Sequence, residues 1–334
     1  MQACLNLAIK GEKTVSPNPM VGCIIVYNDT VVAEGYHEEY GAAHAEVNSF
    51  NSLSEDIPTT ECTVYVNLEP CAHYGKTPPC ANLLVSKNPK KVVIGMLDPH
   101  VRVAGKGVKI LLEAGIDVKV GVLEKECLAL NKRFIHSHKN ETPFVTLKWA
   151  ETKDGFMARN LDDSRSNKIS DVDNDVFVHH LRAVNQAILV GAGTVNRDNP
   201  KLDVRHCTGN NPIKVVISPS LSVNFKTYLF NKGSTLVYNQ LKSEKHANYE
   251  LIKVKDSRLK TILKDLRARG IIGVLVEGGP NVIQAFLNEK AWDEAIILKS
   301  NLTWKEGIKA PWIGRPSQYE ELQNNDTIKY FSPK

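Results

Sequence analysis

CTVYVNLEPCAHYGKTPPCANLLVSK, residues 62–87, decides the fold of the first part of this chain. Its opening seven residues, Cys62–Leu68, are rich in β-branched side chains and read as a strand. A Pro-Cys pair and the loop Ala72–Pro79 follow. The two prolines that end the loop suit the start of a helix over Cys80–Lys87. A strand handing over to a helix through a loop is the building unit of a layered α/β domain. Working outward, Val21–Tyr27 and Lys91–Leu97 read as further strands, and His44–Leu53, Gly105–Ala114 and Glu124–Ser137 as helices.

The same stretch carries chemistry. Cys71 and Cys80 offer two thiolates, and His44-Ala45-Glu46 upstream offers an imidazole. Three such ligands suit zinc and leave its fourth tetrahedral position open for water, the mark of a catalytic rather than a structural site. Zinc would lower the pKa of that water toward roughly 7. Glu46, two residues from the first ligand, is then the group to take a proton from water and return it to a leaving amine. Positions i and i+2 of a regular helix point about 200° apart, so His44 and Glu46 belong in the opening turn of a helix. Cys80 likewise opens its helix, where backbone N–H groups help keep a thiolate deprotonated.

The polar segment Ser137–Pro143 reads as a linker, dividing a domain over 1–140 from one over 143–334. Beyond it, strands are expected at Phe144–Trp149, Ala187–Val190, Lys214–Ser218, Ile272–Glu277 and Glu294–Leu298. Helices are expected at Val172–Ala183, Leu259–Gly270 and Val282–Glu289. Gly191-Ala192-Gly193-Thr194 follows a strand but has Asn196 where a dinucleotide fingerprint needs its third glycine, so a conventional Rossmann domain is disfavoured. Glu277-Gly278-Gly279-Pro280 also links a strand to a helix. Its glycines would let backbone approach a phosphate.

Composition narrows the class. Of 334 residues, 42% are hydrophobic and 24% charged, which excludes disordered and collagen-like chains. Lys and Arg number 42 against 37 Asp and Glu, a formal +5 that suits an anionic small molecule and is too small to mark a nucleic-acid binder. Seven cysteines make an odd count without the density of a disulfide scaffold, pointing to a reduced, cytoplasmic setting. No apolar run approaches the roughly 18 residues of a membrane span, and no signal peptide is expected.

The signature H-x-E followed by P-C and a second cysteine is that of zinc nucleobase deaminases. Here eight residues separate the cysteines, in P-C-x8-C rather than the common P-C-x-x-C. That spacing resembles the RibD family of bifunctional riboflavin biosynthesis proteins. So do Val15-Ser16-Pro17-Asn18-Pro19-Met20-Val21-Gly22, the whole of Leu68–Cys80, and Val103-Ala104-Gly105-Lys106-Gly107. The resemblance extends to the end of the chain. It implies a cytidine-deaminase-like α/β/α first domain, a dihydrofolate-reductase-like α/β second domain, one zinc ion and NADPH. It also implies that Asn18, His37, His73 and Lys76 hold a phosphoribosyl pyrimidine in the first domain. In the second, Lys148, Ser166, Arg182, Leu202, Arg205 and Glu277 would hold the phosphoribosyl substrate, arginine suiting phosphate through its bidentate fork. Ala150, Lys168, Thr194, Asp198, Gly278 and Gly279 would meet the cofactor. Hydride addition to a sugar ring needs a proton on the ring oxygen. Asp198, Glu277 and Lys148 are the ionisable candidates, with Asp198 put forward as catalytic. A homo-oligomer is expected.

Three departures bear on the second domain. Lys168 stands where the family has a tryptophan, Gln186 where it has an aspartate, and Ser218-Pro219 where it has Asp-Ser. Losing the aromatic surface would weaken cofactor stacking by about 1 kcal/mol. Two other readings compete with the bifunctional one: a deaminase whose second domain no longer reduces, and a zinc module that binds RNA. NADPH consumption separates the first. The second would want basic residues interleaved with aromatics, and aromatics are only 7%.

Overall fold

A computed structural model describes every residue except 73–77, 101–103, 161, 164, 232, 257 and 334. The chain divides into two compact units, Met1–Glu141 and Thr142–Lys334. In the first, β1 (Gly22–Tyr27), β2 (Thr30–Tyr36), β3 (Thr63–Leu68), β4 (Lys91–Met96) and β5 (Asp117–Val120) form one sheet in the order β2-β1-β3-β4-β5. β1 is antiparallel to β2 and β3, while β3, β4 and β5 run parallel. The β1–β2 hairpin turns on Asn28 and Asp29 at φ 47° and 59°, a left-handed backbone that Asn and Asp tolerate.

Among the described residues, six α-helices flank this sheet: α1 (Gln2–Ala8), α2 (Ala45–Asn51), α3 (Cys80–Lys87), α4 (Lys106–Glu113), α5 (Glu124–Leu130) and α6 (Lys132–Lys139). Strand alternation sends Cys23, Ile25, Val64, Val66, Val92 and Ile94 against Ala45 and Phe50 of α2, Leu84 of α3 and Leu111 of α4. Ile24, pointing the other way, meets Cys4 and Leu7 of α1. Leu5, Cys127 and Ile135 gather around Leu68 and Met96. The result is an α/β/α sandwich.

The single helix expected over Glu124–Ser137 is two. α5 ends and α6 begins at Asn131, whose backbone leaves helical values at φ −98°, ψ 23°. The buried Asn131 side chain accepts from Met20 N (2.8 Å) and donates to Met20 O (3.0 Å), a tertiary demand that overrides helical periodicity.

In the second unit the strands are β6 (Phe144–Glu151), β7 (Phe156–Ala158), β8 (Ala187–Gly191), β9 (Ile213–Ile217), β10 (Thr235–Asn239) and β11 (Glu244–Lys245). They continue with β12 (Tyr249–Lys253), β13 (Gly273–Val276), β14 (Glu294–Ser300), β15 (Ile308–Lys309), β16 (Tyr319–Gln323) and β17 (Asp326–Phe331). The main sheet has the order β11-β12-β10-β9-β8-β13-β6-β14-β17-β16, and β7 pairs β15 separately. From β12 to β14 the strands are parallel; the outer pairs are antiparallel. The first strand of the unit, β6, therefore lies in the interior between β13 and β14. Its Val145, Leu147 and Trp149 are buried, each worth about 1.5–3 kcal/mol of transfer free energy.

α7 (Asp175–Ala183) and α8 (Ala192–Asp198) cover one face through Val178, Leu181 and Val195. α9 (Leu259–Ala268) and α10 (Pro280–Asn288) cover the other through Ile262, Leu263, Leu266, Ile283 and Phe286. Among the described residues no helix is long and apolar enough to cross a membrane.

Candidate active sites

In the first unit, parallel β3 and β4 end side by side and deliver Glu69-Pro70-Cys71 and Asp98 to one rim of the sheet. Binding crevices form at such carboxyl ends. His44 is the N-cap of α2 in extended backbone (φ −73°, ψ 160°), so Glu46 falls in the first turn. Cys80 is the first residue of α3, after Pro79 as N-cap. The three donor atoms converge: His44 Nδ1 lies 3.2 Å from Cys80 Sγ and 3.6 Å from Cys71 Sγ. All three lie within 4.8 Å of one another. Zinc bonds of about 2.3 Å to sulfur and 2.0 Å to nitrogen at a tetrahedral angle would separate N and S by about 3.5 Å, so the donor set fits that ion.

Cys80 N–H donates to Cys71 Sγ at 3.2 Å. The Cys71 thiol is driven down to about 4, chiefly by a hydrogen bond from Cys80 with help from His44. The Cys80 thiol rises because it supplies that hydrogen bond and is buried. The Cys71 sulfur raises His44 above the usual imidazole range against the opposing effect of burial. Glu46 is 3% exposed, and burial pushes its carboxyl upward.

His44, Glu46 and Cys71 face a cavity of about 440 Å³. Asn18, His37, His44, Glu46 and Cys71, each named from the sequence as a site residue, line it. Glu69, Asp98, His100, Phe134 and His138 also line it, and sequence reasoning missed their part. His37 is held firmly: its Nδ1–H donates to Ala43 O (2.9 Å), leaving Nε2 to accept from Asn18 Nδ2 (3.0 Å). Burial keeps its pKa below the usual imidazole range. His73 and Lys76 lie outside the described residues.

The second unit has a cavity of about 280 Å³ at the ends of β6, β8 and β13. Lys148, Ala150, Thr194, Asp198, Glu277, Gly278 and Gly279 line it, together with Met157, Ala158, Asn167, Ile169 and Pro280. Asn167 is informative: its amide donates to Asp198 Oδ1 (3.3 Å) while its carbonyl accepts from Arg159 N (2.9 Å), which orients the Asp198 carboxylate. The two glycines answer first to local packing. A Cβ on Gly278 would lie 2.8 Å from Val282 Cβ, and one on Gly279 3.1 Å from Thr194 Oγ1.

Other expected contacts are arranged differently. Arg182 is not on the cavity wall; it forks onto Glu277, with Nε–Oε1 at 3.1 Å and Nη2–Oε2 at 2.8 Å. Burial pushes the Glu277 carboxyl up, but the Lys148 and Arg182 charges outweigh it and leave it below the usual carboxylate range. Burial lowers Lys148 below the usual lysine range. Ser166 is exposed and accepts from Lys168 N, while Leu202 is buried in the core and Arg205 pairs with Asp203. Lys168 is engaged in an ion pair with Asp175, and none of these four lines the cavity.

Residues 1–96 match the model of the cytidine and deoxycytidylate deaminase zinc-binding region. Residues 143–300 match that of the RibD C-terminal domain. The riboflavin biosynthesis protein RibD of Aquifex aeolicus is 36% identical over 331 residues, spanning 97% of this chain and 92% of that protein. The chain belongs to the RibD family. Among solved structures, a diaminohydroxyphosphoribosylaminopyrimidine deaminase/5-amino-6-(5-phosphoribosylamino)uracil reductase from Thermotoga maritima superposes with a TM-score of 0.91. It is 33% identical and covers 100% of this chain and 97% of its own. RibD of Acinetobacter baumannii gives 0.89 at 31% identity over 100% and 97%. The units accordingly have the deaminase-like and reductase-like α/β folds of RibD.

The bifunctional RibD reading prevails over a deaminase with a spent reductase domain. Of the residues that suggested loss, Gln186 serves the sheet: its Oε1 accepts from Ile272 N (2.7 Å), pinning the entry to β13 beside β8. It is absent from the cavity wall.

Proposed function

We propose that His44, Cys71 and Cys80 hold the zinc ion of this RibD enzyme, that Glu46 moves protons beside it, and that the second cavity carries the reduction. The enzyme is bifunctional, with a zinc-dependent pyrimidine deaminase and an NADPH-dependent reductase acting in riboflavin biosynthesis. We assign deamination to residues 1–140 and reduction to residues 143–334.

The substrate of the first step is 2,5-diamino-6-(5-phosphoribosylamino)pyrimidin-4(3H)-one. His44, Cys71 and Cys80 would hold the zinc ion, which would supply the Lewis acidity that makes water a nucleophile near neutral pH. Glu46 accepts a proton from the attacking water and passes it to the amino group; the C–N bond breaks and ammonia leaves. Asn18 and His37, locked to each other, orient the pyrimidine. Leu68, Val21 and Phe134 give the cavity an apolar wall beside the pyrimidine.

In the second step the cavity lined by Ala150, Thr194, Asp198, Gly278 and Gly279 would hold NADPH, which would supply the hydride that C1 of the ribosyl ring accepts. The ring C–O bond opens and its oxygen takes a proton, giving the ribityl chain. Asp198, oriented by Asn167, is our candidate donor. Glu277, fixed by Arg182 beside Lys148, forms the charged floor on which the sugar sits.

The observation that carries this reading is the convergence of one imidazole and two sulfurs next to the buried Glu46. Glu46→Gln tests it. Zinc content should stay at wild-type level while ammonia release falls about 10²–10⁴-fold and NADPH oxidation with pre-deaminated substrate persists. Normal ammonia release would remove Glu46 from the chemistry. We also place the enzyme in the cytoplasm as a homo-oligomer. All seven cysteines are free, as suits a reducing compartment, and sedimentation of the purified chain tests the assembly.

A further inference from the structure

We infer that Glu69 is a positioning residue of the deaminase: it fixes the far wall of the pyrimidine cavity against the loop that carries Cys71. The inference rests on the assignment of this cavity to deamination. Glu69 follows β3 directly and is 4% exposed, and its N–H continues the ladder by donating to Met96 O at 2.9 Å. Its carboxylate accepts four backbone N–H groups. Oε2 takes Asp98 N and Gly105 N, both at 3.0 Å; Oε1 takes Gly107 N at 2.9 Å and Val108 N at 3.3 Å.

Those four donors come from the stretch after β4 and from the first turn of α4. α4 has Gly105 as its N-cap and no side-chain cap of its own. Its orphan N–H groups, at Gly107 and Val108, are instead satisfied by a carboxylate brought from another strand. The contact is close on the backbone side as well, since a Cβ on Gly107 would lie 2.2 Å from Pro70 O. One residue further on, Cys71 O accepts from Ala81 N (3.1 Å) and Cys71 Sγ from Cys80 N (3.2 Å). Glu69-Pro70-Cys71 is thus wedged between the starts of α3 and α4. One end holds a metal-ligating sulfur; the other holds Asp98 and the approach to His100, both on the cavity wall. Only a carboxylate offers acceptors at both oxygens. A glutamine in its place would turn an NH₂ group toward one pair of backbone N–H groups and release that pair.

The test is Glu69→Gln in the full-length, zinc-loaded enzyme, with ammonia release followed against pyrimidine concentration. KM should rise at least tenfold while kcat changes less than about threefold. Zinc should stay at one per chain and NADPH oxidation with pre-deaminated substrate at the wild-type rate. A stabilising role alone would lower the melting temperature and leave KM in place, and a wild-type KM in the folded variant overturns the inference. If Glu69→Gln does not fold, Gly105→Ala strains the same helix start at φ 80° in open space and leaves the Cys71 loop untouched. Its KM should rise severalfold, and an unchanged KM there is equally fatal. Should the wild-type chain release no ammonia at all, the deaminase assignment fails, which is a separate outcome.

Discussion

Replacing Arg182 by Met keeps an unbranched apolar stem and removes the guanidinium with its charge and donors. In the native second unit the Arg182 and Glu277 side chains are 13% and 10% exposed, and two hydrogen bonds of 3.1 and 2.8 Å join them. A third runs from Arg182 to Asp203 O at 3.3 Å. Breaking a buried pair leaves the survivor uncompensated and costs about 3–5 kcal/mol. The lower end applies, because the Lys148 charge still acts on Glu277. A unit of this size loses about 2–4 °C of melting temperature per kcal/mol, so Arg182→Met should lower its transition by roughly 10 °C. Calorimetry of the whole chain measures it, and undiminished ammonia release shows that the first unit is intact. Adding Glu277→Gln should give a loss smaller than the sum of the two single changes, since a partnered charge is removed with its mate. A second-unit transition within about 2 °C of wild type in Arg182→Met would refute the claim that this pair is buried and mutually dependent.

Three further outcomes are expected. Burial and the charges of Arg182 and Arg205 hold His179 down at about 4, and its Nδ1 accepts from Arg205 N at 2.8 Å. An unfolded histidine titrates near about 6.5, so between these values only the unfolded chain is protonated. Second-unit stability should therefore fall as pH drops from about 6.5 toward 4; His179→Asn should flatten that slope in pH-dependent melting curves. Cys80→Ser removes one of two sulfur donors and should weaken zinc binding by more than the roughly 10–100-fold caused by losing a hydrogen bond to a ligand, read by competition with a chelating dye. Asn131→Ala takes the acceptor from the Met20 N–H, while Asn67 Nδ2 still donates to Met20 O, and should destabilise the first unit by about 1–3 kcal/mol in denaturant titrations, with NADPH oxidation unchanged.

The zinc cradle was legible because its chemistry lies in residue types: an imidazole, two thiols and a carboxylate at spacings that put them at helix starts. The central strands were legible for a similar reason, since Val92–Ile94 and Ala187–Val190 are continuous apolar runs that suit burial on both faces. Edge strands gave no such signal. β16 reads Tyr-Glu-Glu-Leu-Gln and is mostly exposed, and β2 opens on exposed residues. α8 was hidden by its sequence Ala-Gly-Thr-Val-Asn-Arg-Asp, which reads as a turn. The partners of Glu69 are backbone amides 29 to 39 residues away, and backbone amides carry no residue signature. The pairing of Arg182 with Glu277, 95 residues apart, was not legible, because nothing in a sequence says that two charges will find one another.

The interior position of β6 governs how the chain can be made. On one side its neighbour is β14, paired Thr146 to Glu294 across 148 residues. On the other it waits for β13. A nascent polypeptide stalled after β6 and before β13 would carry the first unit followed by an apolar ribbon with both hydrogen-bonding edges bare, and one stalled before β14 would still leave one edge bare, a template for sticking to its neighbours. Closure of the reductase therefore comes late in synthesis and through long loops, which makes it the slow half to mature. Any effort to shorten this protein from its C-terminus must keep β14 or discard the second unit entirely.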